Sequence, residues 1–395
     1  MKKQLIVLSQ NAVFDLGSNA GKEVIYKTLV GLSKHYQIHL VAPGLDPQIE
    51  NCFFYPLKDA WFNRFKSLPF VGYLFNVIYV RYLHRSISKL VDKNKITPDL
   101  AYLAGPWMSQ IGHALFKNKI PIVCRYFGVN WQPLKHQTLR QKLKFVFKNK
   151  GYRQFGDLVI MTNDGTRGDE FMTRLGCPSE KLRFFKNGVD FPTKNTEKQL
   201  AKQQLIKRWN IPQDHSILLS ISRLAAWKKV ERSLHSLSLL LKSNPNVSLI
   251  IVGDGEEKGK LNQLAMELGI DRNVVFTGAV KRDELNEYYA GSDIFLSLYN
   301  YSNAGNPLFE AMMNSCCIVT IYSPSMLDFI SNDSAVLLPH YEADRLANTL
   351  LDLLKNRERR IQLGLNARNE IHTNFQKWDE RIHLEIEEIR KLNAD

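Results

Sequence analysis

The chain has 395 residues, 44% of them hydrophobic, and a formal net charge of +14. This excludes a disordered polyelectrolyte, and the length exceeds one ordinary core and suits two domains of similar size. Five cysteines, with no pairing pattern and no Cys-x-x-Cys spacing, speak against a disulfide scaffold and fit reduced thiols in a cytoplasm.

The apolar run Leu5-Ile6-Val7-Leu8 follows two lysines and stops by Ser9-Gln10-Asn11. It is too short for a signal-peptide core and reads as a first core strand. A loop with Gly17 to Gly21 leads to apolar positions Ile25, Leu29 and Leu32 at helical spacing. Further strands are expected at Ile38–Val41, Leu100–Leu103, Ile122–Tyr126, Leu158–Met161 and Leu182–Phe185. The uncharged stretch Ser67 to Val80 is too short to span a bilayer as a helix. Asn187-Gly188-Val189-Asp190-Phe191-Pro192 marks a tight turn and an exit from regular structure, so a domain boundary is expected at 192. The polar run Thr193 to Arg208 is then a linker entering a helix.

The second half alternates more clearly. Strands are expected at Ile217–Ile221, Ser248–Val252, Val274–Phe276, Ile294–Leu298 and Ile318–Ile321, with Val230, Leu234, Leu237 and Leu241 on one helix face. Strands alternating with helices mean parallel sheets covered on both faces, hence two doubly wound α/β domains. Ligands of such sheets bind at the carboxyl ends of the strands.

Two loops at those ends carry chemistry. Arg223 and Lys228, five apart after the first strand of the second half, offer a fork of donors and a point charge to a diphosphate, although a chance surface pair has the same spacing. The stretch Tyr299 to Asn314 reads as strand end, amide-rich loop and helix start. Pro307 suits the first helical position, where no amide hydrogen is needed. Free amides at Gly305, Asn306 and Leu308 would then face an anion, and Glu310 would accept hydrogen bonds from hydroxyls. A plain strand-to-helix connection fits the same residues. No Asp-x-Asp pair suited to a metal diphosphate is present, so no metal and no cofactor are expected; His35 and His39 straddle a helix-to-strand boundary and read as structural.

The charge divides unevenly. Residues 1–195 hold 29 Lys and Arg against 13 Asp and Glu, whereas residues 196–395 hold 24 against 26. The segments Trp61–Lys95 and Asn130–Phe155 mix cations with aromatic residues, which points to an anionic, partly apolar surface such as acidic lipid. A solvated basic face over buried aromatics fits as well. Nucleic acid is not expected, because no binding motif accompanies the charge.

The runs Ser222-Arg223-Leu224 to Lys228, Val252-Gly253-Asp254-Gly255, Phe276-Thr277-Gly278, Ala290 to Leu296 and Pro307-Leu308-Phe309-Glu310-Ala311-Met312 resemble, in order and spacing, the retaining glycosyltransferases of family 4. Asn187 to Asp190, Ala20-Gly21, Phe375 and Trp378 extend the likeness. The resemblance implies the GT-B fold, two Rossmann-like domains facing a cleft: residues 1–192 for the acceptor, 193–375 for a nucleotide sugar, and 376–395 as a helix crossing back. It implies Arg223 and Lys228 on the leaving diphosphate, Glu310 on the ribose, Gly305 to Leu308 at the sugar and phosphate, Val280 near the base, and Gly21 close to the donor phosphate. The implied activity moves a sugar to a hydroxyl of a lipid-linked or surface-glycan acceptor, at the cytoplasmic face of a membrane.

Two departures stand out. Family members commonly carry a second glutamate where this chain has Ser302, and many have a histidine where it has Phe127-Gly128. Asn303, Gly305 and Asn306 are therefore the expected donor-sugar contacts, no catalytic base is named, and a degenerate member that binds without transferring is the alternative. A GT-B epimerase is more distant. A nicotinamide dehydrogenase is disfavoured by the lack of Gly-x-Gly-x-x-Gly after the first strand.

Overall fold

The computed structural model describes residues 2–13, 20–58, 72–129, 150–190, 197–299 and 302–392. The expected loop glycine Gly17 and most of the second basic segment lie outside them. The chain divides into two compact units, residues 1–188 with 377–395, and residues 189–376.

The first unit is built on a seven-stranded sheet in the order β3-β2-β1-β4-β5-β6-β7. The strands are β1 (Lys3–Ser9), β2 (Tyr36–Ala42), β3 (Cys52–Pro56), β4 (Leu100–Ala104), β5 (Ile122–Tyr126), β6 (Leu158–Asn163) and β7 (Leu182–Lys186). All pairings are parallel. Helices α1 (Ala20–Ser33), α2 (Gly72–Lys93), α3 (Pro106–Phe116) and α4 (Gly168–Arg174) connect them. Leu5 and Val7 face one core while Ile6 and Leu8 face another. Burial on both faces explains why these strands read as unbroken apolar runs. His39 is buried in β2, its ring Nδ1 3.1 Å from the Tyr55 hydroxyl, and serves the core.

The second unit has a six-stranded parallel sheet, β10-β9-β8-β11-β12-β13. Its strands are β8 (Ser216–Ile221), β9 (Val247–Val252), β10 (Val274–Gly278), β11 (Ile294–Ser297), β12 (Cys317–Ile321) and β13 (Val336–Leu338). Its helices are α5 (Lys198–Trp209), α6 (Glu231–Leu240), α7 (Lys258–Glu267), α8 (Leu285–Gly291), α9 (Asn306–Met313), α10 (Ala343–Lys355) and α11 (Arg357–Asn374). Ile217, Leu219, Phe295 and Ile318 face one layer, and Leu218, Leu249, Ile294 and Val319 the other. The division between the units falls between Gly188 and Val189, a few residues before the expected 192. The Val189 side chain is buried in the second unit's core, and its amide donates to the Gln376 carbonyl at 3.0 Å.

The last helix, α12 (Trp378–Lys391), belongs to the first unit. Its apolar face, Trp378, Ile382, Ile386 and Ile389, packs into the core that holds α1. The same buried face also carries Arg381 and Glu385 into a fully buried cluster. The carboxylate accepts from the Tyr102 hydroxyl at 2.6 Å, and lies 3.4 Å from Arg125 and 3.0 Å from Arg381. The two guanidiniums and the phenol outweigh the cost of burial and hold the Glu385 pKa below the usual carboxylate value.

Candidate functional site

The loops leaving β8, β9 and β10 are laced together by their own backbones. After β8, the Ser222 amide donates to Val252 O at 3.1 Å and the Leu224 amide to Asp254 O at 2.9 Å. After β9, the Gly253 amide donates to Gly278 O at 2.9 Å, at the end of β10. The approach is so close that a Cβ at Gly253, whose φ is +132°, would lie 1.9 Å from the Ser222 carbonyl oxygen, and one at Gly255 would lie 2.4 Å from that of Leu224. Only glycine fits this seam. It holds Val280, beyond β10, as a half-buried residue against the core.

Two cations project from the β8 loop. Arg223 is largely exposed, and its guanidinium pairs with Glu256 at 3.2 Å. Lys228 closes a single 3₁₀ turn, Ala226–Lys228, and is half-buried. Its ammonium rests over two aromatic faces, 3.6 Å from the Tyr299 ring centroid and 4.1 Å from that of Trp227. Burial lowers its pKa to about 7.

The loop from β11 to α9 has a different construction from the one its sequence suggests. Asn303 is buried, and its side-chain oxygen accepts from the Ser297 hydroxyl at 3.0 Å and the Tyr299 amide at 2.8 Å. Its side-chain amide donates to the Tyr299 carbonyl. Asn303 braces the loop and faces inward. The Ser302 hydroxyl accepts from the Ala304 amide at 3.0 Å. Helix α9 starts at Asn306, so Pro307 takes its second position. The Gly305 amide donates to Asn303 O at 3.0 Å, Leu308 donates to Gly305 O at 2.9 Å, and Pro307 has no amide hydrogen. Of the three residues expected to present free amides, this leaves Asn306. Leu308 and Phe309 are buried in the core.

Glu310, one turn into α9, accepts from the buried Tyr289 hydroxyl at 2.9 Å and lies 3.8 Å from Arg282, which also reaches Asp190 at 3.4 Å. Burial raises its pKa, against the pull of Tyr289 and Arg282. The phenol of Tyr299 donates to Ile221 O at 3.0 Å, joining the end of β8 to the β11 loop. Burial above all pushes its pKa up to about 12, and the nearby Glu310 adds to the rise.

Lys228 meets Tyr299 at the carboxyl ends of the neighbouring strands β8 and β11, with Arg223 on the same loop as Lys228, and Glu310 follows one turn into the helix after the β11 loop, near enough to Tyr299 to raise its pKa. Gly21 lies in the first unit, as the second residue of α1. Tyr299, Trp227, Tyr289, Arg282 and Asp190 had no assigned role in the sequence. Their one visible signal is position, beside the loops that carry the charged residues. Among the described residues no three His, Cys, Asp or Glu side chains gather as a metal site requires.

Two doubly wound units, one with paired cations, a helix start and a carboxylate at its strand ends, define a GT-B glycosyltransferase fold. Residues 201–370 match the family model described as glycosyl transferases group 1. The chain is 28% identical over 342 residues to an alpha-monoglucosyldiacylglycerol synthase of Streptococcus pneumoniae, covering 80% of this chain and 74% of the relative. It is 25% identical over 231 residues to a GDP-mannose-dependent alpha-(1-6)-phosphatidylinositol monomannoside mannosyltransferase of Mycobacterium tuberculosis, covering 56% and 59%. A sucrose-phosphate synthase structure from Thermosynechococcus elongatus superposes with a TM-score of 0.78 over all of both chains, at 17% identity. Residues 201–370 carry the group 1 glycosyltransferase match, and over most of its length the chain is similar to retaining glycosyltransferases of the family 4 type.

Proposed function

We propose that the protein moves a hexose, with retention, from a nucleoside-diphosphate sugar to a hydroxyl of a lipid-linked or glycan acceptor. The observation that carries this reading is that the loops leaving the adjacent strands β8 and β11 carry Arg223 and Lys228 on one and lead to Glu310 on the other, with Lys228 seated on Tyr299 between them. When the bond from the anomeric carbon to the diphosphate breaks, charge develops on the leaving oxygen, and Arg223 with Lys228 stabilises it there. The Arg223–Glu256 pair is exposed, so freeing the guanidinium for the donor costs little. Glu310 accepts from the ribose hydroxyls, the Val280 loop borders the base, and the Asn306 amide and Gly305 meet the sugar-phosphate end. Asn303, Pro307 and Leu308 shape that end from behind. No metal enters the scheme.

Both named relatives act on or make glycolipids by their names, which favours a lipid acceptor. A face of α2 supports a membrane-surface location at the cytoplasmic side. Ile78, Arg81, Arg85 and Lys89 recur at helical spacing and are exposed, and no acid occurs between residues 72 and 91. Among the described residues no helix is long and apolar enough to cross a membrane. An alternative, binding without transfer, draws on Phe127, which stacks on the Arg125 guanidinium at 4.5 Å where many family members carry a histidine.

A thermal-shift panel of nucleotide sugars, followed by turnover with lipid-extract acceptors, tests the assignment. Transfer by the wild type, with donor affinity lost in Arg223→Ala and Glu310→Ala, is the expected result. Unchanged affinity in both variants refutes the site, and binding without turnover on any acceptor favours the alternative. Failure of anionic vesicles to retain the protein at low salt refutes the membrane location alone.

A further inference from the structure

Lys228 differs from the cations around it in what it touches. Arg223 pairs with Glu256 at 3.2 Å, Lys229 with Glu231 at 3.2 Å, Lys258 with Asp254 at 3.6 Å, and Arg282 with Asp190 at 3.4 Å. Among the described residues no carboxylate lies within salt-bridge distance of Lys228. Its ammonium sits instead on the faces of Tyr299 and Trp227. The two rings stand edge to face, with centroids 6.1 Å apart and planes at 70°.

We propose that Tyr299 is a positioning residue for the diphosphate of the donor: its ring, flanked by that of Trp227, seats the Lys228 ammonium at the strand ends without cancelling its charge. The inference rests on the donor-site reading above and adds to it the means by which the lysine is held.

A seat of this kind has to be rigid, and Tyr299 is fixed from three sides. Its side chain is buried, its amide donates to Asn303, and its hydroxyl donates to the last carbonyl of β8. Asn303 is in turn held by Ser297. The brace inside the loop therefore sets the ring, and the ring sets the lysine. A carboxylate in the same place would attract the ammonium more strongly, but the donor phosphates would have to displace it. The ring quadrupole attracts a cation while remaining neutral, so the charge of the protonated lysine is not cancelled before the anion arrives. A flexible four-carbon stem laid across a ring also has less rotamer freedom to lose when the phosphates arrive. Trp227 is 44% exposed and forms the outer wall of the seat.

The test measures binding of UDP and GDP by calorimetry to the full chain, with thermal unfolding as the check on folding. Tyr299→Leu is expected to weaken the tighter-binding nucleotide about 10-fold, a typical size for losing a desolvated cation–ring contact. Tyr299→Phe, which keeps the ring and drops the hydroxyl, is expected to restore affinity to within about 3-fold of wild type. In a Lys228→Met background, Tyr299→Leu is expected to change affinity less than about 2-fold, because the residue acts through the lysine. Trp227→Leu, at the more exposed of the two ring positions, is expected to cost about 3-fold and keeps the test valid should Tyr299→Leu unfold. Wild-type affinity in Tyr299→Leu, or an undiminished loss in the Lys228→Met background, overturns the proposal and leaves the donor site standing. Failure of the wild type to bind either nucleotide overturns the donor-site reading and the proposal with it.

Discussion

Raising the pH should loosen the donor, and Lys228 sets the scale. With no donor present its pKa is lowered to about 7 by burial. A bound diphosphate favours the ammonium and returns it toward the ordinary lysine value of about 10.4. Binding then takes up a proton above pH 7, so affinity is full below that pH and is lost as pH rises through it. Between pH 6.5 and 8.5 the linkage amounts to about 25-fold, or about 1.9 kcal/mol. The attraction of the two rings for the ammonium, taken as about 1 kcal/mol, offsets part of the burial cost and lowers the expectation to roughly 6-fold. Calorimetry with a nucleotide sugar is the right assay, because its diphosphate diester keeps both charges over this range. Lys228→Met should bind weakly with a flat profile, and Lys228→Arg should keep its charge and also be flat. A wild-type affinity that does not change between pH 6.5 and 8.5, or a Lys228→Met variant with the wild-type slope, refutes the reasoning.

Glu310→Gln keeps the size of the side chain and removes the charge that ribose hydroxyls bind. Donor affinity should fall about 10-fold in a binding titration, within the range for a charged hydrogen-bond acceptor. Because burial raises the Glu310 pKa, wild-type affinity should also fall at acid pH as the carboxylate takes up a proton, and the Gln variant should lack that limb. Gly253→Ala puts a Cβ 1.9 Å from the Ser222 carbonyl oxygen, so it should lower the unfolding temperature and weaken the donor together; wild-type behaviour in both measurements would show that the seam yields. Glu385→Ala leaves Arg125 and Arg381 buried without their carboxylate and should cost about 3–5 kcal/mol in urea unfolding. Since the Glu385 pKa is depressed in the folded state, its contribution should be present above the ordinary glutamate pKa and lost as pH falls through the lower folded value.

The interior strands were legible because each is buried on two faces and so appears as an unbroken apolar run. The two strands that escaped, Cys52–Pro56 and Val336–Leu338, lie at sheet edges, where the run is short and half-exposed. Charged site residues were legible by their place after strands. Roles that depend on which way a side chain turns were not. Asn303 has the composition of a sugar contact, yet it points into its own loop; Gly305 and Leu308 have their amides already engaged. Tyr299 stood in the stretch read as a loop, and nothing in its spacing reveals that its ring lies under Lys228.

The same loop explains how the site manages with Ser302 where relatives commonly place a second acid. The Ser302 hydroxyl accepts from the Ala304 amide and so turns the chain toward α9, while Asn303 ties Ser297 and Tyr299 together. Polar groups that could have faced a ligand are committed to fixing Tyr299, and through it Lys228. An acid at 302 would bring a negative charge toward the place where the leaving diphosphate gathers its own, and the attraction of Lys228 would be divided between them. With Ser302 neutral and Glu310 engaged by Tyr289 and Arg282, no carboxylate among the described residues pairs with Lys228 at the strand ends of β8 and β11. In the proposed donor site, an unpaired ammonium there is free to meet the charge that develops on a departing nucleoside diphosphate.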